Sequence, residues 1–149
     1  MRLTVTRKSD LALRAMRTLA ASRGALRGED LAATIGTSRG FLVQVMTPLV
    51  RARWVVSSPG PLGGYRLRQG ATASVLAVIE AVEGPTDVAT CVLDADAACE
   101  STAPGSRYPC ALHDQWMRAQ RAMREELARS PAVPAKPGAE PSDIEGGTP

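Results

Sequence analysis

Between Leu11 and Ala20 the apolar residues Leu11, Ala12, Ala15, Met16, Leu19 and Ala20 return at intervals of three and four, with Arg14 and Arg17 falling elsewhere. That spacing predicts an amphipathic helix. A shorter helix is predicted over GEDLAATIG, where Leu31, Ala32 and Ile35 make the stripe and Gly36 supplies a left-handed stop. Thr37 or Ser38 then caps a third helix, whose stripe runs through Leu42, Val45, Met46, Leu49 and Val50. Pro48 lies inside it, lacks a backbone donor and crowds the carbonyl of Gln44, so a kink or an end near Thr47 is expected. WVVSS and YRLRQ follow, two β-prone runs around the turn sequence PGPLGG, which reads as a hairpin. A helix, a tight turn, a capped helix and a hairpin in that order make a winged helix-turn-helix.

Downstream, TASVLAVIEAVEGP predicts another helix, with Val75, Leu76, Ile79 and Val82 apolar and Gly84-Pro85 ending it. From Cys110 to Arg129 the residues Leu112, Trp116, Ala119, Met123 and Leu127 form a one-sided stripe. A helix of about twenty residues spans ~30 Å, long for so small a protein, and such a stripe favours pairing with a second copy. The expected class is therefore mainly α with a small β-hairpin: a winged helix-turn-helix plus a long C-terminal dimerisation helix. The expected organisation is a DNA-binding domain over 1–70, a connecting helix within 71–90, a cysteine-rich loop over 91–113, the dimer helix over 110–130 and a disordered, proline-rich tail over 131–149.

Charge sharpens this division. Residues 1–70 hold 12 Arg and Lys against Asp10, Glu29 and Asp30, whereas residues 71–149 hold 6 basic against 12 acidic groups. A basic half joined to an acidic half points to a polyanion-binding module beside a module with another task. No apolar run approaches the ~20 residues that cross a bilayer, and the Arg-rich start has no signal-peptide core. A cytoplasmic protein is expected. One histidine, no nucleophile motif and no phosphate-cradling glycine loop argue against an enzyme.

In a winged helix the second helix of the pair enters the major groove by its first turns. The exposed candidates there are Thr37, Ser38, Arg39, Val43 and Gln44. Arg39 suits guanine O6/N7 and Gln44 suits adenine N6/N7. Ser38 with the helix N-terminus suits a phosphate. Arg66 and Arg68 on the wing, with Arg7, Arg51 and Arg53, complete the expected backbone contacts.

The segment CVLDADAACESTAPGSRYPCALH, residues 91–113, contains all three cysteines, Cys91, Cys99 and Cys110, and the sole histidine, His113. An odd count in a reducing compartment argues against a disulfide framework. The spacing C-x7-C-x10-C-x2-H lacks the short pairs of a zinc knuckle. An iron–sulfur cluster tolerates looser spacing. A thiol switch and three unrelated cysteines are the other readings.

Several stretches together resemble the IscR/NsrR (Rrf2) family of iron–sulfur transcription regulators: the opening MRLT, SDLALRAM, FLVQVMTPLVRARWVVSSPGPLGGYRL with its GGY wing, AVEGP, and CALHDQW. The resemblance covers roughly residues 1–128. It implies a homodimeric DNA-binding regulator, here expected to be a repressor, with a two-iron or four-iron cluster on Cys91, Cys99 and Cys110 at the dimer interface. In IscR-like members the fourth ligand is a histidine in C-x2-H, which His113 matches. In the actinobacterial nitric-oxide sensor NsrR it is an aspartate early in the first helix, which Asp10 matches. Nitric oxide is the expected signal, with redox or iron–sulfur status next. The alternative is a metal-free or zinc-bound winged-helix protein that binds DNA or a partner. Departures from the family are the longer cysteine spacing, Pro59 in place of a wing arginine, Val43 in place of an acid, and Pro48 and Arg53 in the reading-helix region.

Overall fold

The computed structural model describes residues 5–60, 63–85 and 113–133, with the side chain of His113 excepted. Helix α1 covers Arg7–Ala21 and starts where the Thr6 hydroxyl accepts the Ser9 N–H. Its apolar stripe is the buried one: Leu11, Ala12, Ala15, Met16 and Leu19 all enter the core. Helix α2, Gly28–Ile35, buries Leu31, Ala32 and Ile35 and ends on Gly36, whose φ of 76° is the left-handed stop. Helix α3, Arg39–Arg51, begins at Ser38, whose hydroxyl accepts the Phe41 N–H.

Pro48 does not end α3, so of the kink or end expected near Thr47 the end is not what the helix does. The helix runs on to Arg51 because Val45, Met46 and Leu49 on either side of the proline are fully buried. The carbonyl that loses its donor belongs to Gln44, which is exposed, and the adjacent Thr47 hydroxyl bonds the Val43 carbonyl. The helix closes with Arg53 N–H on Val50 O and Trp54 N–H on Leu49 O, which puts Arg53 at a φ of 63°.

Strands β1, Val55–Ser58, and β2, Gly64–Leu67, pair antiparallel from Val55 opposite Leu67 to Ser58 opposite Gly64. A third short contact fixes this wing to the body: Leu26 and Tyr65 exchange both backbone hydrogen bonds at 2.8 Å. Gly64 makes the approach possible, since a Cβ there would lie 2.1 Å from the Leu26 carbonyl oxygen.

Helix α4, Val75–Glu83, is capped by Ser74 and stopped at Gly84. Its buried stripe is Leu76, Val78 and Val82, while Val75 and Ile79 are only half-buried. The expected stripe was thus rotated toward Ile79: α4 packs against α1, α3 and α5, and it is Val78 that joins the core cluster. Helix α5, His113–Arg129, packs antiparallel to α4, with Arg124 bonded to Glu80 and the chain returning to the start of α4. There the Val75 N–H meets Ser130 O, and the Ala132 N–H meets Ala73 O. Residues 131–133, placed by sequence in the tail, are therefore packed, and Ala132 is 0% exposed in the core.

Candidate nucleic-acid interface

The α2–turn–α3 pair presents the first turns of α3 as an open surface. Ser38, Arg39, Gly40, Val43, Gln44 and Thr47 are exposed, and Thr37 is half-buried. Val43 is 51% exposed although apolar, so it stands on the face turned away from the core. Ser38 spends its hydroxyl on the Phe41 N–H. The backbone N–H groups of Arg39 and Gly40 precede the first intrahelical bonds and remain the anion-binding ends of the helix. Arg39 and Gln44, five residues apart on α3, are both exposed.

The far end of α3 and the wing supply cations. Arg51, Arg53, Arg66 and Arg68 are exposed, and among the described residues none of them pairs with an acid. Arg68 is partly used inside the protein: its Nε donates to the Arg53 carbonyl at 2.8 Å and so ties the end of β2 to the end of α3. Arg7 is exposed at the start of α1. All three acids of the basic half are paired with arginine: Asp10 with Arg14, Asp30 with Arg27, and Glu29 with Arg39. Glu29 had no role in the sequence reading. The signal was its rarity, one of three acids among 12 bases.

A second assembly lies at the start of α1. The Glu83 carboxylate accepts from both the Thr6 and Ser9 hydroxyls, and Lys8 Nζ donates to the Val82 carbonyl. Ser9 is 1% exposed, so this polar clasp is built into the core boundary. Asp10 is next to it, half-exposed, with both carboxylate oxygens on the Arg14 guanidinium at 3.0 and 3.2 Å. Asp10 does not cap α1; Thr6 does. Cys91, Cys99 and Cys110 lie outside the described residues, as does the His113 side chain. Among the described residues no three metal-binding side chains converge. No described helix is long and apolar enough to cross a membrane.

Comparison with known proteins places this architecture. The profile of the Rrf2 family, described as iron-dependent transcriptional regulators, matches residues 5–130. The HTH-type transcriptional regulator Rv1287 of Mycobacterium tuberculosis is 33% identical over 140 residues, 92% of this chain and 83% of that protein. An HTH-type regulator of Azotobacter vinelandii, ORF2, is 34% identical over 128 residues, covering 85% of this chain and 70% of its own. CymR, the global cysteine regulator of B. subtilis, superposes with a TM-score of 0.66 at 26% identity, covering 88% of this chain and 94% of its own. T. potens IscR shares the fold at a TM-score of 0.62 and 22% identity, over 87% and 83% of the two chains. These likenesses reach the family and not a branch within it. The profile match, the relatives and the winged-helix architecture agree: the chain is a transcriptional regulator, not an enzyme, and belongs to the Rrf2 family.

Proposed function

We propose that the chain is a homodimeric, sequence-specific DNA-binding repressor whose cysteine segment holds an iron–sulfur cluster that reports nitric oxide or redox state. The observation that carries the DNA reading is the exposed first turns of α3, with Arg51 at the end of the same helix and Arg66 on the wing both exposed and, among the described residues, without an acid partner. Arg39 and Gln44 read base edges, the helix N-terminus takes a phosphate, and the wing arginines follow the backbone.

The dimer reading rests on the overhang of α5. That helix has 17 residues against 9 in α4, and its far end is fixed at the start of α4. Its first turns therefore extend about 12 Å past Glu83. Met117 is exposed there and Trp116 half-buried, which suits coverage by a second copy.

For the sensor, the donors fit in kind: three thiols with a carboxylate or an imidazole for the fourth place. When bound, the cluster supplies a centre that nitric oxide and oxidants attack. Asp10 occupies the first turn of α1, which Glu83 clasps to the end of α4, and Cys91 follows eight residues after Glu83. To serve as ligand, Asp10 must release Arg14. Movement at the end of α4 passes through the Glu83 clasp to α1 and thence to α3, against which α1 packs. A second reading, a metal-free regulator sensing through its thiols, draws on the likeness to CymR.

The test is oxygen-free purification with iron, sulfide and zinc measured per chain, followed by selection of binding sites from random DNA. Iron with sulfide, lost in Cys99→Ala while the fold remains, supports the sensor. Metal-free protein with selective DNA binding moves the function to the thiol reading. A protein that selects no sequence defeats the DNA reading.

A further inference from the structure

The acid–base pairs of the basic half differ in what they connect. Asp10–Arg14 links residues of one helix four apart, and Asp30–Arg27 links α2 to its own cap three residues away. Glu29–Arg39 alone among these three spans two elements, from the first turn of α2 to the first residue of α3. Its platform is fixed, because Leu31, Ala32 and Ile35 seat α2 in the core. Its geometry is also selective. Arg39 donates to Glu29 through Nη1 alone, at 2.8 Å, whereas Arg27 engages Asp30 through both Nε and Nη2.

An arginine reads guanine by pointing two N–H groups together at O6 and N7. With Nη1 held by Glu29, the Nε–Nη2 edge of Arg39 is the fork that stays free. A long side chain held at one end also has less conformational freedom to lose on docking. We propose that Glu29 is a positioning residue for base recognition: it grips Arg39 by Nη1 and presents the Nε–Nη2 edge to a guanine in the major groove. This rests on the DNA-reading role proposed for α3, and goes beyond it by assigning a determinant of specificity on the other helix of the pair. The competing account is that Glu29 is merely a negative charge close to DNA. The two accounts differ in what they change. A buttress affects discrimination at one base pair; a charge affects affinity for all DNA alike.

The experiment uses the full chain and the site selected from random DNA by the wild type. Affinities are measured for that site, for its single-base-pair variants and for random DNA, using wild type, Arg39→Ala, Glu29→Ala and Glu29→Gln. Arg39→Ala identifies the base pair that Arg39 reads, by flattening discrimination there about ten-fold or more. Glu29→Ala is expected to reduce discrimination at that same base pair about two- to five-fold, the scale of an exposed ion pair, and to leave other positions unchanged. Glu29→Gln, which keeps an oxygen for Nη1, retains more of the discrimination than Glu29→Ala does. Uniformly tighter binding by Glu29→Ala to every DNA, with discrimination intact, overturns the proposal in favour of simple repulsion. Unchanged binding overturns it too, as does an Arg39→Ala that alters no position. If the wild type selects no site, the DNA reading itself fails, a result distinct from the loss of a Glu29 effect. Glu29 is 70% exposed, so both variants should melt like wild type, and circular dichroism checks this.

Discussion

Gly64→Ala tests how the wing is held. A Cβ at position 64 would meet the Leu26 carbonyl oxygen at 2.1 Å and the Leu26 carbonyl carbon at 2.7 Å. Both are backbone atoms, so no rotamer change relieves the overlap, and the two segments must part by about 1 Å. Leu26 and Tyr65 hold each other by two hydrogen bonds of 2.8 Å. Parting by that much stretches them to about 3.8 Å, beyond hydrogen-bonding range. Each bond is worth about 1 kcal/mol net, and residual strain adds a similar amount, so the loss is about 3 kcal/mol. For a chain of this size that lowers Tm by roughly 6–12 °C. Urea and thermal unfolding of Gly64→Ala measure this, with Gly24→Ala as control because its added Cβ meets nothing within 4 Å. Affinity for DNA should fall as well, since Arg66 follows Tyr65 on the displaced strand. If Gly64→Ala melts with wild type, the account of the wing's attachment is refuted.

Two further substitutions probe the ends of helices. Arg53 holds a φ of 63°, which costs a non-glycine residue about 1–2 kcal/mol. Arg53→Gly keeps the carbonyl that receives Arg68 and should raise stability by about 1 kcal/mol, read as a higher urea midpoint; a lower midpoint would contradict this. Glu83→Ala strands the buried Ser9 hydroxyl and should cost about 1–3 kcal/mol and speed amide exchange in the first turn of α1. Glu83→Gln, which keeps the acceptor oxygen, should recover most of the loss; equal damage from both would show that charge matters more than the hydrogen bond.

The elements with long apolar periods were legible in the sequence. The stripes of α1, α2 and α3 are buried as spaced except at Ala20 and Val50, which are half-buried, and Ser38 and Gly36 cap where local chemistry places them. Contacts without a period were not. The Leu26–Tyr65 bridge is one residue wide, and no pattern announces a single residue that pairs. Ala132 lies among prolines that suggest a tail, and its burial depends on where α5 delivers it. In α4 the choice between Val78 and Ile79 depends on how the helix sits among α1, α3 and α5, which its own period does not give. The early end that Pro48 suggested is absent for a related reason: tertiary packing on both sides outweighs one missing hydrogen bond. At the candidate site, the exposed face of α3 followed from its stripe, whereas the Glu29–Arg39 pair crosses two helices and needs their relative position.

The junction of Ser74 with Pro131 bears on the cluster proposed for the connection between the two helices it joins. Ser74 caps α4 and Pro131 follows α5, so their hydrogen-bonded bridge closes a loop of chain that includes the 27-residue connection 86–112. Drawing together the ends of a free chain of that length costs about 3 kcal/mol of entropy. In this protein that cost is met during folding, by bonds from Val75 to Ser130 and from Ala132 to Ala73. The cluster proposed for Cys91, Cys99 and Cys110 would thus meet a connection whose two flanking helices are already held together. Opening the junction should weaken that binding about a hundredfold without touching a single thiol.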